Sequence, residues 1–146
     1  MNWVIKQIGI IHTPYKNMKD IPIQGIFKPD VEGVIEVFPE YEEGLKDIER
    51  FSHIILLYYF HISGDVKLQR KPFLDENEHG IFSIRHPSRP NPIGFSVVRL
   101  IKREKNRLYI AEIDTIDGTP LVDIKPYVPK FDVRIDAGEG WLKDKL

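Results

Sequence analysis

The sequence predicts a mainly β protein: a single closed antiparallel β-barrel with one or two short helices, and not a Rossmann-type fold. Short runs of β-branched and aromatic residues recur along the chain, separated by turn residues. Strands do not alternate with long helices, as a parallel α/β sheet would require. Closure into a barrel is favoured because it removes the edges that many short strands would leave exposed.

The individual elements follow from local patterns. The predicted strands are, in chain order, 4–12, 33–38, 52–62, 80–85, 94–102 and 107–114. Residues 54–60 are apolar at every position, which fits either a strand buried on both faces or a barrel strand packed against a partner. A short helix is predicted over 41–51, and another turn or two in the tail from Glu139.

Composition narrows the class of protein. A chain of 146 residues with 42% hydrophobic residues predicts one domain, 1–146, with a C-terminal tail over about 131–146. The absence of cysteine excludes a disulfide framework, a thiolate nucleophile and a cysteine zinc site. No signal peptide and no apolar run near ~20 residues is visible, so we expect a cytoplasmic protein without a membrane segment.

Charge is unevenly distributed, although the formal net charge is only −1. Residues 30–49 carry eight acidic side chains against one lysine, and residues 84–107 carry seven basic side chains against one glutamate. A local basic face of this kind can bind RNA phosphates whatever the total charge. The alternative is a solvated hairpin tip over 102–107.

Several familiar catalytic motifs are absent. The sequence has no G-x-G-x-x-G or Walker phosphate loop and no G-x-S-x-G elbow. The histidines show no zinc-site spacing, so we expect no metal. They are His12, His53, His61, His79 and His86.

The decapeptide over residues 85–94, Arg-His-Pro-Ser-Arg-Pro-Asn-Pro-Ile-Gly, is the most informative stretch. Its three prolines each fix φ and disfavour a helical residue before them, which predicts a stiff, extended strip. Side chains two apart then share a face, so Arg85, Arg89 and Asn91 would project to one side. Guanidinium groups suit carboxylate or phosphate, and the amide suits a base edge. The alternative is a stiff connection with solvated arginines.

A second stretch, 114–129, places carboxylates near a predicted strand end. Asp114 follows apolar strand residues and is expected to be partly buried. Asp117 precedes a glycine in a turn, where its side chain either caps the turn or faces a site. Lys125 shares a face with Asp123 and can simply pair with it. His61, at the end of the apolar run, is either a core histidine with satisfied hydrogen bonds or a site residue.

Taken in order, these stretches resemble a known family, the TsaA-like or TrmO-like tRNA methyltransferases. The resemblance covers residues 8 to about 129 in six ordered blocks. They are Ile8-Gly9 with Thr13-Pro14-Tyr15, Pro22-Ile23-Gln24, 51–61, 80–85, 89–96 and 117–127.

The resemblance implies a β-barrel enzyme that works as a homodimer and uses S-adenosyl-L-methionine. The implied reaction methylates N6 of threonylcarbamoyl-adenosine beside the anticodon, so the implied partner is the tRNA anticodon loop. The N6 nitrogen must lose a proton, and a base beside it is therefore expected. Asp114 and His61 are the candidate catalytic residues, with Asp117 a weaker candidate.

The resemblance also assigns binding residues by position. The implied cofactor-binding residues are Gln24, Gly25, Ile26, His61, Ile62, Arg85, Phe95, Glu112, Ile113 and Asp114. Arg85 suits the cofactor's carboxylate, backbone groups near Ile113 its adenine edge, and Asp114 its amino group or ribose hydroxyls. The residues expected to hold the modified nucleoside are Arg89, Asn91, Lys125 and Tyr127.

Two positions depart from the family pattern. Ile23 stands where the family commonly has arginine, and Ile62 where it commonly has glutamine. One cation and one amide are thus missing from the expected site. Two alternatives to the enzyme therefore stay open: an RNA-binding β-barrel without catalysis, and a cofactor-binding relative with a different substrate.

Overall fold

A closed six-stranded antiparallel barrel forms the body of the protein in the computed structural model, which describes all residues from Met1 to Leu146. Around the barrel the strand order is β1-β2-β7-β6-β3-β8. The barrel strands are β1 (Gly9–His12), β2 (Glu32–Val37), β3 (His53–Tyr59), β6 (Ile93–Glu104), β7 (Arg107–Ala111) and β8 (Thr119–Pro126). A separate two-stranded ribbon pairs β4 (Gln69–Arg70) with β5 (His79–Gly80). The predicted fold class is confirmed.

Alternation along the strands fills the barrel interior. In β3, Ile54, Leu56 and Tyr58 are buried, whereas the side chains between them are only partly buried. The apolar run 54–60 is therefore a barrel strand with one inward face, and not a strand buried on both faces. Burying each inward Ile or Leu contributes about 1.5–3 kcal/mol, which makes these strands the main stabilising elements.

The helical segments are short. The only α-helix is α1 (Pro129–Asp132). The 3₁₀ segments are Met18–Asp20, Gly25–Phe27, Pro39–Leu45, Ile48–Arg50, Ile81–Ser83 and Gly140–Leu142. The tail thus forms the predicted turn. The prediction of one helix over 41–51 is wrong, because the chain turns at Asp47, whose φ is 71°, and two 3₁₀ segments result.

Two predicted strands are shorter than their patterns suggest. The strand predicted over 4–12 begins only at Gly9, and Val4 is 85% exposed, because β2 and β8 offer no partners beyond the end of their own ladders. The strand predicted over 80–85 keeps only its first residue. A 3₁₀ segment follows and buries Ile81 and Ile84, three residues apart, a spacing that fits a helical turn better than alternation.

The prediction of an extended strip over 85–94 is wrong, since the chain bends repeatedly over residues 87–91. The backbone N–H of Arg89 donates to the Pro87 carbonyl at 3.0 Å, and Ile93 N–H donates to the Asn91 carbonyl at 2.7 Å. The prolines fix their own φ but leave the residues between them free to turn. The arginines consequently point in different directions.

The basic hairpin tip lies at the C-terminal end of β6, whereas Gly94 lies at the N-terminal end of the same strand. There Lys102 pairs with Glu104 at 3.0 Å, and the guanidinium of Arg103 donates to the Leu45 carbonyl at 3.2 Å. These contacts match the solvated-tip alternative and occupy two of the basic groups within the protein itself.

Close packing of Tyr58 against Gly94 closes one end of the barrel interior. The two residues are paired between β3 and β6, and a methyl group at Gly94 would overlap the Tyr58 ring. The ring has little room to move, because Tyr58 is buried and its hydroxyl hydrogen-bonds Ser96 Oγ at 2.7 Å. Glycine at position 94 is therefore a packing requirement.

Gly94→Ala is expected to lower the free energy of unfolding by about 1–3 kcal/mol, because overpacking displaces a buried ring. Urea denaturation followed by circular dichroism measures the change. Gly80→Ala is the matched control, since nothing lies near its added methyl group. Equal stabilities of the two variants would contradict this account of Gly94.

Candidate functional site

A cavity of about 530 Å³ lies over the barrel end that contains Tyr58 and Gly94. Its floor is the barrel interior, and its walls are the loops before β2, after β3 and before β6. It gathers seven of the residues predicted from the sequence. They are Gln24, His61, Ile62, Arg85, Arg89, Phe95 and Asp114.

A hydrogen-bonded network at the cavity floor holds Asp114. Ser96 Oγ donates to Asp114 Oδ1, and the backbone N–H of Gly25 donates to Asp114 Oδ2 at 3.1 Å. Since the Ser96 proton is directed at the carboxylate, the Tyr58 hydroxyl donates to Ser96 Oγ, at 2.7 Å. The three side chains form one chain of donors that ends on Asp114.

Burial dominates the electrostatics of this network. It raises the pKa of Asp114, although the donors Ser96 and Gly25 and the charge of Arg85 oppose the shift. Burial and the nearby Asp114 charge likewise raise the pKa of the Tyr58 hydroxyl, which stays protonated. Asp114 therefore accepts a proton more readily than an ordinary aspartate.

The raised pKa of Asp114 makes ionisation of this group a cost to folding. The folded protein binds the proton more tightly than the unfolded chain, so this contribution to stability falls as pH rises above the ordinary aspartate value. A carboxylate kept in a cavity despite such a cost is typical of a functional site.

The loop that carries Gln24 is fixed by its contact with the strand end. A methyl group at Gly25 would overlap the Glu112 carbonyl, so the loop packs directly against that backbone. Glu112 itself has φ 69°, a left-handed conformation that is unusual outside glycine. The resulting bend after β7 turns the chain so that Asp114 faces the cavity.

Arg85 is more exposed than Arg89, the other arginine that lines the cavity. The Arg85 guanidinium donates to Gln24 Oε1 at 3.1 Å and lies 5.9 Å from the Phe95 ring centroid. No carboxylate pairs with it in the structure, and its side chain is exposed. Arg85 is thus placed to meet an anionic group of a ligand.

His61 and Asp117 turn out to be very different candidates. His61 is exposed in the cavity wall, which excludes the core-histidine alternative. Asp117 accepts hydrogen bonds from the Thr13 backbone at 3.0 Å and from Lys16 Nζ at 2.6 Å. The Lys16 contact lowers the pKa of Asp117, so this carboxylate is a weak base. Its hydrogen bonds instead hold the loop after β1 in place.

Four predicted cofactor residues lie behind the cavity wall and do not line it. Gly25 contributes its backbone N–H to Asp114, and Ile113 is fully buried in the core. The Glu112 carboxylate lies 3.7 Å from His53 Nε2, away from the cavity, and Ile26 is 69% exposed.

The predicted nucleoside-binding residues are not brought together in one chain. Arg89 lines the cavity, but its guanidinium donates to the Ile84 carbonyl at 2.8 Å. Asn91 is exposed and lines no described cavity. Lys125 pairs with Asp123 at 2.9 Å, and the Tyr127 ring lies against His53, both toward the opposite end of β8.

Sequence reasoning missed Ser96 and Tyr58. Both residues stand at inward positions of predicted strands, Ser96 in β6 and Tyr58 in β3. A polar side chain at an inward position needs a partner, and that was the available signal. It does not say which partner, because the pairing of β3 with β6 joins residues far apart in the chain.

Comparisons with known proteins show which family this chain belongs to. Residues 10–133 match the family model described as the tRNA-methyltransferase O N-terminal domain. The chain belongs to this TrmO family. The family resemblance drawn from the motifs is confirmed.

Two relatives and one solved structure illustrate the TrmO match. A "Probable S-adenosyl-L-methionine-binding protein" of Pyrococcus abyssi is 57% identical over 97% of this chain and 77% of its own length. A mouse "tRNA (adenine(37)-N6)-methyltransferase" is 40% identical over 66% of this chain and 23% of its own length. The crystal structure of TrmO from Pseudomonas aeruginosa is 38% identical, with a TM-score of 0.83 over 96% of this chain.

This TrmO-family chain spans 62% of the solved Pseudomonas TrmO chain. None of its helices has the length and apolar character needed to cross a membrane. No three His, Asp or Glu side chains cluster closely enough to hold a metal ion.

Ser96→Ala is expected to raise the pKa of Asp114 further, because it removes a donor that favours the carboxylate form. Titration of the aspartate carboxyl carbons by NMR measures the shift. Ser52→Ala is the control, since Ser52 bonds only His53 at the surface. An unchanged Asp114 titration in Ser96→Ala would show that this hydrogen bond does not control the carboxyl.

Proposed function

We propose that the protein is an S-adenosyl-L-methionine-dependent methyltransferase that acts on N6 of threonylcarbamoyl-adenosine beside the tRNA anticodon. The observation that carries this proposal is the meeting of Asp114 and Arg85 in one partly apolar cavity. The names of the archaeal and mouse relatives support the cofactor and the nucleoside class, respectively.

The residues present fit the cofactor. The carboxylate of its amino-acid end suits Arg85, and its ribose hydroxyls suit the Gln24 amide. A volume of about 530 Å³ lies in the range of small-molecule sites, and Phe95 and Ile62 provide apolar contact. When bound, S-adenosyl-L-methionine supplies an electrophilic methyl group.

The protein's contribution to methyl transfer is positioning first and proton removal second. The cavity walls are expected to hold N6 about 3 Å from the methyl carbon, in line with the bond that breaks. Asp114 is the proposed base, because burial raises its pKa toward the range where a carboxylate accepts protons efficiently. His61, exposed in the same wall, is the second candidate.

The two departures from the family pattern lie in the cavity wall. Ile23 is 48% exposed and Ile62 is 51% exposed. Their apolar side chains leave Arg85 as the cation available to the cofactor, since the guanidinium of the other cavity arginine, Arg89, donates to backbone carbonyls. These two losses favour the alternative of a cofactor-binding relative with a different substrate, and a barrel that binds RNA without catalysis is the other competing function.

Two measurements test the proposed function. Calorimetry should show binding of S-adenosyl-L-methionine, and mass spectrometry should show a methyl group added to threonylcarbamoyl-adenosine in an anticodon stem–loop RNA. Asp114→Asn should lower the methylation rate by about 10²–10⁴-fold if Asp114 is the base. If wild type bound no cofactor at millimolar concentration, the methyltransferase proposal would fall, and RNA binding without catalysis would remain as the function.

Asp30→Asn is the matched control for Asp114→Asn. Asp30 is also an aspartate, but it is exposed and lines neither cavity. Full methylation by a folded Asp114→Asn protein would exclude Asp114 as the base and leave His61.

We further propose that the protein acts as a homodimer. Arg85 lines the cavity. Lys125 and Tyr127 lie toward the end of β8 that is farther from the cavity, several residues along the strand. A second copy that places its β8 over the cavity would bring all these residues to one nucleoside. Exposed Tyr59 and Phe95 at the cavity rim provide apolar surface for such a contact.

Mixing two inactive variants tests this arrangement. Arg85→Ala and Lys125→Ala should each lose activity, and the mixture should regain up to about a quarter of the wild-type rate if each site draws on both copies. At most half of the dimers contain one copy of each variant, and each of these dimers has one intact site out of two. About a quarter of the wild-type sites are therefore active. Light scattering should give twice the chain mass, and a monomer would contradict the dimer.

A further inference from the structure

A second cavity of about 660 Å³ lies beside the first and is not used by the proposed cofactor site. The two cavities share a wall. Its residues are Ile23, Gln24, Phe82, Ile84, Arg85 and Pro87. A ligand in one cavity is therefore in direct reach of a ligand in the other.

Exposed aromatic rings distinguish the second cavity. Phe73 is 92% exposed and Phe82 is 78% exposed, and Phe27, at 55%, lines the same space. Trp141 completes the wall, held by a hydrogen bond from its Nε1 to the Ser83 carbonyl at 2.7 Å. Large apolar rings left open to water are characteristic of binding surfaces.

The polar side chains of this cavity can donate hydrogen bonds to the acceptor atoms of a nucleobase. No Asp or Glu side chain lines it, and Arg85 is its one formally charged side chain. His86 Nδ1 accepts the Ser88 backbone N–H at 3.0 Å, so the neutral ring carries its proton on Nε2, a free donor. Burial lowers the pKa of His86, which keeps the ring neutral.

We propose that this second cavity binds a base of the RNA substrate that neighbours the target adenosine, with Phe73 as its stacking platform. The proposal rests on the proposed function, because it assumes that the first cavity holds the reacting nucleoside. A base lifted out of the anticodon loop stacks on aromatic side chains, and the shared wall would place such a base next to the nucleoside in the first cavity.

Phe73→Ala tests the proposal directly. The binding constant of an unmodified anticodon stem–loop RNA, measured by fluorescence anisotropy without cofactor, should weaken by about 5- to 100-fold, the loss expected for one base–aromatic stack. Phe73→Trp should restore affinity, since a larger ring stacks as well. Phe73 is almost fully exposed, and a thermal melt confirms that the variant folds.

Trp3→Ala is the control, because Trp3 is 80% exposed and lines neither cavity. It should leave RNA affinity unchanged. A 2-aminopurine base placed next to the target position should lose fluorescence on binding to wild type and less on binding to Phe73→Ala, as stacking quenches it.

Other outcomes would overturn the proposal. Equal RNA affinity of wild type and Phe73→Ala, or no RNA binding by wild type, would show that no base stacks there. A loss of S-adenosyl-L-methionine affinity in Phe73→Ala would assign the cavity to the cofactor. A change of oligomeric mass would assign it to a second copy of the chain.

The failure of the proposed function would look different. If wild type bound the RNA and Phe73→Ala weakened it, but no methyl group were transferred, the stacking site would stand and the methyltransferase proposal would fall.

Discussion

The hydrogen bond from the Gly25 backbone to Asp114 is the contact on which the rest of the site depends. It joins the loop before β2 to the chain just after β7, two segments that the fold brings together over the open barrel end. The same carboxylate is tied to β6 through Ser96. Three separate parts of the chain thus meet at one group, so the cavity has a fixed floor while its upper walls are loops.

The barrel makes such a floor possible at little cost in backbone hydrogen bonds. Six strands satisfy one another around the ring, and the inward positions near Tyr58 and Gly94 are free to carry polar groups in place of apolar ones. Asp114 takes its place where the apolar interior ends. Burial of the carboxylate is unfavourable, but it takes place in a rigid part of the molecule that holds the group in one orientation.

The fold was largely predictable from the sequence, because alternation and turn residues are local signals. The barrel and the hairpin between β6 and β7 were predicted on that basis, whereas the inward face of β3 was not, because residues 54–60 are apolar at every position. The decapeptide was not, since its bends depend on contacts such as Arg89 with the Ile84 carbonyl. Ser96 was missed for a related reason, as its partners lie on other strands.

The site residues likewise divide into those whose place could be predicted from the sequence and those whose place could not. Arg85 lies in a family motif and Asp114 follows an apolar predicted strand, and the structure places both in one cavity. Lys125 and Tyr127 belong to equally clear motifs, yet a single chain leaves them away from it. A motif indicates that a residue is functional. Strand register and assembly decide on which side of the molecule that residue acts.

The hydrogen bond between Arg85 and Gln24 has a thermodynamic consequence. Both residues belong to the wall between the two cavities, so a ligand that draws the guanidinium away from the amide alters the surface seen from the other side. Occupancy of one cavity then changes affinity in the other, and linkage makes the effect equal in both directions. This coupling through Arg85 and Gln24 would be the same whichever ligand bound first.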